Sequence, residues 1–166
     1  MFALLTFLHF AADWVFQSHA EAMAKSTHGG IRAKHCLIYT VICCGVIAWV
    51  APVALSKLVA IATLLFISHF FEDTYLPVYV WARYIRKPLE MQARATVEEF
   101  TAFASTALGK ILLIAIDQIV HILFLIPVAV ILVVPARSAA AIWTGGSLLV
   151  VLGALCAVGA KRIQTP

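Results

Sequence analysis

Along the chain, long apolar stretches are separated by short polar ones. The apolar runs fall at about 1–20, 35–54, 57–76, 109–134 and 141–160. Each can cross about 30 Å of hydrocarbon, since a helix rises about 1.5 Å per residue and about 20 residues suffice. The pattern predicts an all-α, polytopic transmembrane helix bundle of about five spans, forming one integral membrane domain over 1–166. The polar pieces are 21–34, a tight turn near Pro52, a longer segment 77–108 and a short link around Pro135–Ser138. In 77–108, Pro88 suits the first turn of a helix, and Thr96-x-x-Glu99 reads as a capping box before Phe100 and Phe103. That segment is expected to lie along the inner leaflet and then feed the fourth span. The fifth span holds no ionisable residue between Ala141 and Ala160, and its Gly146, Gly153 and Ala157 suit close helix packing.

Composition agrees with the pattern. Only 12% of the 166 residues are charged while 63% are hydrophobic, and mean hydropathy is +1.00. A soluble domain of this size needs more polar surface. The net charge of +4 raises the question of nucleic acid, but its distribution answers it. With loops assigned alternately to two sides, one side receives Lys25, Arg32, Lys34, Arg83, Arg86, Lys87, Arg94, Lys110, Lys161 and Arg162. The other receives only Lys57 and Arg137. Such asymmetry marks cytoplasmic loops, so the N-terminus is expected outside and the C-terminus inside, in the cell (inner) membrane. The expected partner is therefore the lipid bilayer and not nucleic acid. Ala20-x-Ala22 imitates a signal-peptide cleavage site, but no Lys or Arg precedes the apolar run and Asp13 interrupts it, so 1–20 reads as a retained span. The four cysteines form no C-x-x-C pair and read as small hydrophobes.

Against this background three aspartates stand out, because Asp13, Asp73 and Asp117 all lie within apolar runs. An unpaired carboxylate near a helix centre costs about 2.5–3.5 kcal/mol on insertion scales. Each has a histidine four residues away: His9 with Asp13, His69 with Asp73, and Asp117 with His121. Positions i and i+4 share a helix face. In spans one and three, which run inward, His precedes Asp; in span four, which runs outward, Asp precedes His. The three pairs therefore meet at similar depth in the inner half of the membrane. His35 and Tyr39 form a similar i, i+4 pair near the cytoplasmic end of span two. Gln17 continues the stripe of span one, and Gln118 adjoins Asp117. His19 and His28 fit no such pattern and read as interfacial or loop residues.

One isolated pair would be read as polar glue between helices. Three at matching depth favour a metal site. His9, Asp13, His69, Asp73, Asp117 and His121 are the candidate ligands, for one or two divalent ions. Two ions and a bridging hydroxide would balance three carboxylates, although protonated aspartate would also do so. Mixed imidazole and carboxylate donors suit Zn, Mn, Fe, Co or Ni.

The His-Phe-Ala-Ala-Asp run at 9–13 with Gln17, His35 with Tyr39, His-Phe-Phe-Glu-Asp at 69–73 and Asp-Gln-x-x-His at 117–121 together resemble a known set. They resemble the bacterial and phage integral membrane family called domain of unknown function 3307, over about residues 1–125. The resemblance implies a polytopic membrane protein and carries no settled activity. Glu72 stands where that pattern leads one to expect an apolar residue, and either adds a ligand or faces the inner interface. More loosely, the His/Asp stripe is similar to that of small bacterial membrane proteins classed as metal-dependent hydrolases.

Three functions are weighed. The first is a metal-dependent membrane hydrolase of a lipid-like or phosphoester substrate, in which metal-activated water attacks and His35 or Tyr39 acts as general acid or orients the leaving group. The second is a proton or metal-ion transporter or channel, since intramembrane Asp/His chains also relay ions. The third is a non-catalytic membrane subunit with a structural metal site. A homo-oligomer is compatible with all three.

Overall fold

A computed structural model of the chain describes residues 1–80 and 97–135. The described residues are helical and contain no strand: α1 (Phe2–Phe10), a π-helical turn (Ala11–Val15), α2 (His19–Ala24), α3 (Gly29–Val50), α4 (Leu55–Glu72), α5 (Leu76–Val80), α6 (Val97–Ser105) and α7 (Ala107–Val133). Three of these, α3, α4 and α7, are long and apolar enough to cross a membrane, with mean hydropathies of 1.7, 1.5 and 2.4. They match the expected second, third and fourth spans. The expected fifth span at 141–160 lies outside the described residues, as do Pro88 and Thr96 of the expected interfacial segment.

The expected first span is shorter than 1–20. Phe2–Val15 forms one apolar stretch, falling short of the roughly 20 residues a full crossing takes. The cause is local: Ser18 starts a new helix. Its side chain accepts from the Glu21 N–H at 3.2 Å, and its own N–H donates to Glu21 Oε2 at 2.9 Å. This reciprocal capping box turns the chain out of the first helix and into α2.

α1, α3, α4 and α7 surround one apolar core of Leu5, Leu8, Ala12, Tyr39, Cys43, Ile47, Ile61, Leu64, Leu65, Leu125, Val128 and Ile131. At its far end Lys57 Nζ donates to the backbone carbonyls of Leu132 and Val134, satisfying the last turn of α7. The outward faces stay apolar: Trp49, Leu55, Val59, Ile111 and Val133 are all exposed. Water tolerates such contiguous surface poorly, whereas acyl chains accept it.

The corner between α6 and α7 sets the position of the latter. Thr106 caps α7 by accepting from the Gly109 N–H at 2.9 Å and donates to Phe103 O at 2.7 Å. A Cβ at Gly109 would stand 1.9 Å from Phe103 O, so this approach of backbone to backbone admits only glycine.

Candidate metal centre

Among the described residues, buried ionisable groups gather at one end of this bundle. Asp13 comes from the end of the first helix, His35 from the start of α3, His69, Glu72 and Asp73 from the end of α4, and His121 from the middle of α7. Each is at most 2% exposed.

Two groups of donors emerge. Asp13, His35, His69 and Asp73 each offer a ligand atom within 4.8 Å of one another, and so do His69, Glu72 and His121. In the first, His35 Nε2 lies 2.9 Å from Asp13 Oδ1 and 3.0 Å from His69 Nε2. His69 Nε2 lies 3.5 Å from both Asp13 Oδ1 and Asp73 Oδ2. In the second, His121 Nε2 lies 3.4 Å from Glu72 Oε2, and His69 Nδ1 lies 3.9 Å from the same oxygen. His69 thus faces one group with each ring nitrogen.

A cation already stands among the first donors. Lys25 Nζ lies 2.9 Å from Asp13 Oδ1, 2.9 Å from Asp73 Oδ1 and 3.4 Å from His35 Nε2. Burial alone would lower its pKa, but the two aspartates outweigh that and hold it above the ordinary lysine value. α2 delivers this lysine, and Glu21 ties α2 to α3 through Lys34 Nζ at 2.7 Å. That bond, with the Ser18 cap, holds the Glu21 carboxyl down at about 2. In the sequence Lys25 reads only as a loop charge. The available signal is the charge excess of the aspartates, which asks for a cation near the span ends.

The other expected ligands take different places. His9 Nε2 lies 3.1 Å from Gln118 Oε1 and its Nδ1 lies 3.3 Å from Tyr39 Oη, so its hydrogen bonds run to neighbouring helices. The π-helical turn explains the separation from Asp13: i→i+5 bonding carries Asp13 round the axis, out of the line His9 would share at regular i, i+4 spacing. Asp117 stands beside His121, with Oδ1 3.7 Å from Nδ1, but its other oxygen accepts from the Gln118 amide at 3.1 Å. Neither His9 nor Asp117 falls in the two donor groups. His35, expected as a general acid, stands among the donors of the first group. Tyr39 is buried, its ring stacked on His69 at 4.0 Å between centroids. Glu72, a departure in the sequence pattern, belongs to the second donor group.

A cleft of about 410 Å³ opens beside the cluster, bounded by Asp13, Trp14, Gln17, Lys25, Tyr75, Ile114, Asp117 and Gln118. Its lining combines aromatic and aliphatic side chains with polar and charged ones. Tyr75 closes α4 with φ of 59°, a left-handed conformation that costs a non-glycine residue about 1–2 kcal/mol. Strain of this kind collects at functional sites.

The chain matches the family described as "Protein of unknown function (DUF3307)" over residues 1–149 and belongs to it. No curated protein and no solved structure matches it.

Proposed function

We propose that this protein is an integral membrane hydrolase that uses a divalent metal ion to cleave an ester or phosphoester of a lipid-like molecule. The observation that carries this reading is the pair of buried donor groups adjoining an open cleft of mixed apolar and polar lining. A bound divalent ion supplies Lewis acidity and lowers the pKa of water. The cleft lining suits an amphiphile: Trp14, Tyr75 and Ile114 receive its apolar part, and Lys25, Gln118 and Asp117 face its polar part. Asp117 is the carboxylate best placed to accept a proton there, with its side chain 14% exposed. Tyr39 orients His69 by stacking.

A transporter needs a second polar opening. Beyond the cluster the interior is Leu5, Leu8, Ile47, Ile61, Leu65, Leu125 and Val128, each nearly inaccessible, so the apolar core supports a one-sided pocket over a through-path.

The test uses the full chain in detergent micelles, with bis(p-nitrophenyl) phosphate and a fluorogenic phospholipid ester as substrates and Zn²⁺ or Mn²⁺ added. Turnover that chelator abolishes and that Asp117→Asn strongly reduces is expected. Metal-loaded protein that turns over neither substrate, with Asp117→Asn indistinguishable, sinks the hydrolase reading.

A further inference from the structure

Four buried polar atoms in the cluster have no hydrogen-bond partner: His69 Nδ1, Glu72 Oε1, Asp73 Oδ2 and His121 Nε2. Leaving such atoms unsatisfied in a buried site is costly. All four belong to neighbouring residues on α4 and α7.

The tautomers sharpen the problem. His121 Nδ1 lies 2.8 Å from the Asp117 carbonyl oxygen, and a carbonyl only accepts, so Nδ1 carries the hydrogen. In the neutral ring, Nε2 is then a bare lone pair. It points at Glu72 Oε2, 3.4 Å away, and at Asp73 Oδ1, 3.7 Å away. Acceptor faces acceptor, a contact that a metal ion or a proton between them relieves. His69 is less constrained. Its Nε2 lies 3.0 Å from His35 Nε2 and 3.5 Å from Asp13 and Asp73, and the tautomer with the hydrogen on Nε2 leaves Nδ1 bare toward Glu72. Metal-bound imidazoles characteristically donate their other N–H to a carboxylate or carbonyl in this way.

The first donor group is different, because the Lys25 ammonium already lies 2.9 Å from two of its carboxylates. A divalent ion entering there must expel a paired, buried cation. We propose that the ion binds instead at His69 Nδ1, Glu72 and His121 Nε2, and that Lys25 is the resident cation of the adjoining Asp13–Asp73 position. The inference rests on reading the cluster as a metal centre, and assigns the ion's place within it.

Two quantities agree with this assignment. Tetrahedral donors about 2.1 Å from an ion lie about 3.4 Å apart, the spacing of His121 Nε2 and Glu72 Oε2. The charges also close. Asp13, Glu72 and Asp73 bring three negative charges into the bundle and Lys25 one positive, so with neutral imidazoles a single divalent ion makes the buried set neutral. Burying uncompensated charge is otherwise expensive. The more exposed Asp117 stands at the cleft, outside that set.

The experiment measures Zn²⁺ stoichiometry and affinity on the full chain in micelles, with folding checked by melting temperature. Wild type should bind one ion. Glu72→Gln and His121→Asn should each weaken binding at least about tenfold, whereas His35→Asn should leave it within a few-fold. Lys25→Met should admit a second ion at the vacated position. If His121→Asn does not fold, Glu72→Gln, which keeps the side chain's size, carries the same comparison. Loss of the ion in His35→Asn and Asp13→Asn with retention in Glu72→Gln overturns this inference and leaves the metal centre standing in the first position. Absence of binding in wild type, with His121 protonated instead, overturns both.

Discussion

Lys25 Nζ lies 2.9 Å from Asp73 Oδ1 across a junction of α2 and α4, and the same nitrogen lies 2.9 Å from Asp13. One lysine therefore joins three segments of chain inside an apolar bundle. Removing one partner of a buried ion pair leaves an uncompensated charge and typically costs about 3–5 kcal/mol. Lys25→Ala should lower stability by that order in metal-free protein. Adding Asp73→Asn to it should cost less than the sum of the single losses, because one of the two carboxylates left behind is also gone. Chemical denaturation of the two single variants and the double variant checks this, and strict additivity would contradict it.

Two variants separate an acid role of Tyr39 from a role in holding His69. Its ring stacks on His69 and its hydroxyl lies 3.3 Å from His9 Nδ1. Tyr39→Phe keeps the stack and should cost about 1 kcal/mol for the hydrogen bond, with turnover preserved. Tyr39→Leu should weaken metal binding by releasing His69. Abolished turnover in the Phe variant, with metal still bound, would restore Tyr39 as the general acid.

Acid should loosen α2. The Glu21 carboxyl is depressed from 4.5 to about 2, by the Lys34 hydrogen bond first and the Ser18 cap next. A depressed acid contributes stability fully above its unfolded value, and that contribution fades as pH falls from about 4.5 through 2. A spin label at Met23→Cys should stay ordered at pH 6 and gain mobility below about pH 3 by this linkage. In Glu21→Gln the label should be mobile already at pH 6. Wild-type order in that variant would remove Glu21 from the account.

Gly109→Ala should be destabilising, since its Cβ would meet the Phe103 backbone at 1.9 Å. Overpacking of this kind typically costs about 1–3 kcal/mol. Gly45→Ala is the control, with nothing within 4 Å of the added carbon. Thermal melts of the two variants should differ clearly, and equal melting points would refute the corner's role.

The basic residues divide ten against two between alternate loops, which predicts 77–108 and the C-terminus inside. Reporter fusions check this, and a fusion at the N-terminus tests whether the short Phe2–Val15 stretch crosses. A cysteine introduced at Arg94 should resist impermeant reagents applied from outside, and its labelling would reverse the orientation.

The sequence by itself determined the helical class, the places of α3, α4 and α7, and the gathering of His and Asp at one end of the bundle. These follow from local rules: apolar length, 3.6-residue periodicity and the direction of each span. His69, Asp73 and Asp13 were legible as candidate ligands because each is a costly polar residue in an apolar run. Only the tertiary structure brought His35 into their midst, set His9 against Tyr39 and Gln118, and turned Asp117 toward the cleft. Those outcomes depend on the rotation of each helix about its axis and on a π-helical turn that breaks the i, i+4 line at Asp13. Lys25 is the extreme case. As a polar residue in a polar loop it violates no local rule, and it reaches Asp13 and Asp73 only because the Ser18–Glu21 cap folds α2 back over the mouth of the bundle.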